Sequence, residues 1–135
     1  MRLTWRDGLA TLLVAAAIML YALWATGAAI ESVSTRWMTV ITFALGMAAC
    51  TTNQGELGEI YTPAPGVPRP PAAYVTLATA LGIVMLVAGI IAFVLASEMM
   101  LATLAVAMAG LWLLATGRHA LAGRHLHRPA HPAAR

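Results

Sequence analysis

From Ala72 to Gly117 a single formal charge, Glu98, interrupts the chain. As one helix, those about 46 residues would rise roughly 70 Å, about twice the ~30 Å of hydrocarbon in a bilayer. The stretch therefore has to fold back, and Ser97 beside Glu98 marks the place. A serine accepts a bond from the free amides of a starting helix, and an acid is favoured in its first turn. The sequence predicts spans at 72–96 and 99–117, joined as a tight helical hairpin.

The same reasoning runs through the rest of the chain. Gly8 to Ile30 carries no charge and is closed on its N-terminal side by Arg2, Arg6 and Asp7. Thr4 and Asp7 have capping-box spacing, so the helix should begin near residue 5 with Trp5 in the interfacial zone. A shorter apolar run, Trp37 to Cys50, has to borrow residues on both sides and is predicted to cross over 34–53. The expected organisation is an all-α, four-transmembrane-helix bundle over 1–117, a proline-rich loop at 54–71 and a basic His/Arg/Pro tail at 118–135. Composition agrees. The chain is 61% apolar and 10% charged, against about 25% charged in a water-soluble domain. Soluble enzymes and disordered chains are both excluded on that count.

All eight basic residues are arginine, and arginine resists translocation. Arg2, Arg6, Arg69, Arg118, Arg124, Arg128 and Arg135 fall on one side of a four-span chain, and Arg36 alone falls on the other. The expected placement is the cell membrane, multi-pass, with both termini cytoplasmic. Gly27, Ala28 and Ala29 resemble a signal-processing site, but the preceding apolar core exceeds the about 7 to 15 residues of a signal, so the first helix is read as retained. Met47 to Cys50 resembles a lipoprotein site but follows a complete earlier span, so Cys50 is read as a packing residue.

In lipid, helices associate through small residues and hydroxyls rather than by hydrophobic gain. Small-residue stripes run through Gly8, Thr11, Ala15, Ala22, Ala25 and Ala29 in the first span, with Ile18 as the one larger member, and through Thr39, Thr42, Gly46, Ala49 and Asn53 in the second. Ala78, Gly82, Gly89, Ala92 and Ala96 form the third, and Ala102, Ala105, Ala109 and Thr116 the fourth. Gly46, Ala49, Gly82, Gly89, Ala105 and Ala109 are the expected packing positions. Tyr21, Thr39 and Thr42 are the expected polar core, with the Tyr21 hydroxyl bonding across the bundle. Arg118, Arg124 and Arg128 are the expected contacts to lipid headgroups, each contributing about 1 kcal/mol near an anionic surface.

Chemistry is sparse. No span carries an ionisable residue away from its ends, which argues against proton-coupled antiport and the small multidrug exporters. No histidine falls within a span to ligate haem, and no Cys-x-x-Cys pair exists. The scattered methionines read as core filler. His125, His127 and His131 lie in a proline-broken tail without an acid or cysteine beside them. No catalytic, cofactor or metal site is expected, and nothing in the tail stacks on bases, so nucleic acid is not an expected partner.

The opening Thr4-Trp5-Arg6-Asp7-Gly8-Leu9-Ala10-Thr11, with Leu45-Gly46-Met47-Ala48-Ala49-Cys50 closing span two, resembles a group of small uncharacterised four-helix integral membrane proteins of high-GC bacteria. The resemblance covers about the first 50 residues and brings no known activity with it. A second resemblance, through Gly55-Glu56-Leu57-Gly58, is to the four-helix accessory subunit of actinobacterial cytochrome c oxidase. The expected function is noncatalytic: an integral membrane protein in contact with lipid, assembling through its helix faces with itself or with a larger membrane complex. A small oligomeric transporter or channel lined by threonines, and an accessory subunit of a respiratory complex, are the alternatives.

Overall fold

A computed structural model describes residues 5–30, 32–52 and 70–125, with the backbone alone for 119–125. The described chain is all-helical: α1 (Trp5–Ala25), α2 (Thr35–Thr52), α3 (Ala72–Leu95) and α4 (Glu98–His125). Three segments, α1, α3 and Glu98–Arg118 of α4, are long and apolar enough to cross a membrane. The 18 residues of α2 rise about 27 Å. That length suits a crossing, but Arg36 and five threonines leave α2 less apolar than those three segments.

Helix ends have local causes. The apolar run that begins at Gly8 continues to Ile30, yet α1 stops at Ala25. There Ala28 N donates to Leu23 O at 3.0 Å and Gly27 N donates to Trp24 O at 3.1 Å. Gly27 sits at φ 68°. This is a Schellman closure with glycine in the left-handed position it favours. α3 starts after Pro71, whose carbonyl accepts from Tyr74 N and Val75 N at 3.0 and 3.2 Å. It ends at Ala96, also left-handed, at φ 51° and ψ 39°. The next residue, Ser97, caps α4: its Oγ accepts from Met100 N at 3.4 Å. α4 runs past the expected end at 117, through Arg118, to His125. Ala120, Leu121 and Ala122 are good helix formers, and the first proline after Pro71 is Pro129. The expected Thr4 cap, the 54–71 loop except for its last two residues, and the end of the tail lie outside the described residues.

α3 and α4 make the most extensive contact, α1 and α2 the next, and the two pairs meet mainly through α2 against α3, while α1 and α3 barely touch. Tyr74 lies beside Arg118 and Leu81 beside Gly110, so α4 returns along α3 in the opposite sense. The buried interior holds Val14 and Ala17 of α1, Met38 and Thr42 of α2, Ala88 and Ala92 of α3, and Leu101, Leu104 and Met108 of α4.

The inward face of α1 differs from the expected stripe. Ala10, Val14 and Ala17 are buried, whereas Ala15, Ala22 and Ala25 are exposed. Each buried position precedes an expected one by a single residue, a rotation of about 100°. Alanine lines both sides of this helix, so the large residues decide: Leu13, Leu20, Tyr21 and Trp24 pack against the core only when α1 turns this way. α4 likewise turns Leu101, Leu104 and Met108 inward and leaves Ala102 and Ala109 half-buried.

Candidate functional site

Between the two helix pairs lies a cavity of about 110 Å³ to which all four helices contribute. Its walls exist because the residues facing it are small: Ala10 on α1, Ala49 on α2 and Ala115 on α4 stand where longer side chains would close the gap. Its inner end is sealed by sulfur. A β-carbon on Gly46 would stand 2.8 Å from Met108 Sδ and 4.0 Å from Met85 Sδ, so the glycine makes room for both thioethers. Cys50, one turn along α2 from Gly46, also faces the cavity. On the far wall Trp112 bridges α4 to α1, its Nε1 donating to Thr11 Oγ1 at 3.2 Å. Tyr74 closes the α3 side, and the Arg118 guanidinium lies over its ring, 5.2 Å from the centroid. α1 and α3 face each other diagonally, with α2 and α4 between them.

A second apolar groove, of about 310 Å³, lies on the outside between α2 and α3, beside Phe43, Gly89 and Phe93. At the end of α3 above it, Arg36 reaches across from α2. Its Nε donates to Phe93 O at 3.1 Å and its Nη2 to Val94 O at 3.3 Å. The last carbonyls of a helix have no partner within the helix. Arg36 supplies one from a neighbouring element, and its planar fork suits two adjacent acceptors.

The expected packing positions divide. Gly46 and Ala49 are buried at the cavity, Ala105 is buried in the core, and Gly89 is buried with Phe43 Cδ2 2.9 Å from where its β-carbon would stand. Gly82, by contrast, has nothing within 4 Å of that point, and Ala109 is half-buried. The expected polar core does not tie helices together. Thr39 Oγ1 donates to Thr35 O of its own helix at 2.8 Å. Thr42 is fully buried and its Oγ1 has no partner. Tyr21 is half-buried, its ring centroid 6.3 Å from that of Trp24. The indole that reaches a partner here is that of Trp24, whose Nε1 donates to Val33 O at 2.8 Å. Of the three expected headgroup contacts Arg118 is placed as above, while the Arg124 side chain and Arg128 lie outside the described residues.

Three features escaped the sequence: the Arg36 cap, the Trp112 bridge and the cavity. The first had a signal, since Arg36 is the one arginine on the wrong side of the expected topology. Among the described residues no group of three or more His, Cys, Asp and Glu is placed to hold a metal ion. Compared with protein-family models, curated proteins and solved structures, the chain matches none.

Proposed function

We propose that this chain is a noncatalytic, multi-pass protein of the cell membrane. Its four helices cross as a bundle with α3 and α4 as a hairpin, and its role is to assemble with a second copy of itself or with a larger membrane complex. The carrying observation is the outward face of α1. Ala15, Ala22 and Ala25 are exposed there, turned away from the other three helices, with exposed Ile18 and Met19 between Ala15 and Ala22. A small-residue face lets another backbone approach closely, which is how helices associate in lipid. Both termini are cytoplasmic in this scheme. Arg36 fits it despite lying at the opposite end, because its guanidinium is committed to the α3 carbonyls.

A threonine-lined conduit has less support, because several hydroxyls, though not that of buried Thr42, are turned back onto their own helices. Thr11, Thr39 and Thr103 each donate to the carbonyl four residues earlier.

The test uses a Cys50→Ala background with single cysteines introduced at Ala15, Ala22 or buried Ala17. Oxidation in native membranes is expected to link chains, to each other or to a partner, through positions 15 and 22 and not through 17. Absence of any crosslink at 15 and 22, or solute flux through liposomes containing this protein alone, would overturn the proposal.

A further inference from the structure

Three sulfur atoms from three helices meet at the inner cavity, and their chemistry names a ligand that the assembly role does not involve. We propose that Cys50 on α2, Met85 on α3 and Met108 on α4 form a binding site for one soft monovalent cation, copper(I), held as a neutral thiolate complex.

Position comes first. All three residues line the same cavity of about 110 Å³. The methionines are scattered along the sequence, and it is Gly46 that brings two of them together. From the point where a β-carbon would stand on that glycine, Met108 Sδ is 2.8 Å away and Met85 Sδ is 4.0 Å away. The two thioethers are therefore no further apart than those distances laid end to end. Cys50 follows Gly46 by four residues and so lies on the same face of α2, one turn nearer the helix end at Thr52. A first-row metal bonds sulfur at about 2.3 Å, which in a trigonal plane sets the sulfurs roughly 4 Å apart. Methionine turns about three rotatable bonds, so its sulfur can close on an ion through space that the cavity already provides. Access runs through the cysteine. Cys50 is half-buried two residues from the end of α2, whereas Met85 and Met108 are buried, so an incoming ion meets the thiol first.

Donor type and charge select the ion. Thiolate and thioether are soft ligands that favour copper(I) over magnesium, calcium or manganese. Among the described residues no carboxylate or imidazole lines the cavity to hold a harder ion. On binding, a sulfur–copper bond replaces the sulfur–hydrogen bond of Cys50 and one proton leaves, while copper keeps its +1 state. One cation and one thiolate sum to zero, which an apolar surrounding tolerates. A divalent ion on the same three sulfurs would leave a net charge buried there, at a large cost in desolvation.

The experiment titrates the full chain in mild detergent with copper(I), under anaerobic conditions with ascorbate as reductant, against the chromogenic chelator bicinchoninate. One copper(I) per chain is expected, and X-ray absorption of the complex should show a shell of three sulfurs at about 2.3 Å. Cys50→Ala should abolish this one-to-one binding. Met85→Leu and Met108→Leu nearly conserve volume, and each should weaken it at least about tenfold, the least that loss of even an outer-shell partner costs a metal site. Met47→Leu and Met99→Leu change exposed methionines away from the cavity and should leave affinity as it was. Circular dichroism checks that each variant keeps its helicity, and if the cavity variants lose it, the sulfur count in the parent protein decides. No bound copper(I), a nitrogen shell from the histidines of the tail, affinity unmoved by Cys50→Ala or by both cavity methionine variants, or equal losses in Met47→Leu and Met99→Leu would each overturn the proposal. The crosslinking through Ala15 and Ala22 is carried out without Cys50, so the two proposals fail separately.

Discussion

Arg36 is where the packing of the helix pairs can be weighed most directly. Arg36→Ala removes two charge-assisted bonds, at 3.1 Å to Phe93 O and 3.3 Å to Val94 O. Bonds to a charged group contribute about 1.5–3 kcal/mol each when shielded. The Arg36 side chain is exposed, where competing polar groups reduce that several-fold. A loss of about 1–2 kcal/mol in total is expected, concentrated at the junction of α2 with α3. Arg36→Lys keeps the charge but replaces a planar fork with a point charge, so it should recover about half of that at most. The assay is reversible unfolding by SDS titration from mild-detergent micelles, followed by far-ultraviolet circular dichroism. Identical unfolding of Arg36→Ala and the parent would refute the cap as a stabilising contact. Full recovery by lysine would show that charge alone, rather than two-pronged geometry, is what matters.

The remaining predictions use the same titration. Thr42→Val swaps a buried hydroxyl without a partner for a methyl of similar volume, and should be neutral or stabilise by up to about 1.5 kcal/mol. A loss of more than about 1 kcal/mol would mean that the hydroxyl has a partner. Ala96→Gly relieves a β-carbon in the left-handed region and should stabilise the α3–α4 connection by about 0.5–1 kcal/mol, whereas Ala96→Val should destabilise it by more than that. A double-mutant cycle on Trp112→Phe and Thr11→Val should give a coupling of about 0.6 kcal/mol, the average for hydrogen bonds between helices in a membrane. Zero coupling would remove this bond as the tie between α1 and α4.

The helical class and the four helices of the described residues were legible because charge and length set them. Glu98 is the only charge within a stretch about twice the thickness of a bilayer, and Ser97 before it has the chemistry to begin a helix. Facing was another matter. Alanine is so common that small-residue stripes can be drawn on more than one side of a helix. In α1 the choice passes to Leu13, Leu20, Tyr21 and Trp24, whose demand for burial turns Ala15 and Ala22 outward. α2 was easier to read, since Thr39, Thr42, Gly46 and Ala49 are its small residues on one side and all four are buried. The cavity was illegible for a further reason. It is bounded by positions on four helices, and no spacing within one helix encodes where four separate faces fail to meet.

The continuation of α4 beyond Gly117 has a mechanical consequence. Its 28 residues rise about 42 Å, some 12 Å more than the thickness of a bilayer's hydrocarbon. In the bundle proposed above, the final two turns form a stem standing clear of the lipid tails. Inserting one alanine between Gly117 and Arg118 would turn the rest of that stem by about 100° while lifting it only about 1.5 Å.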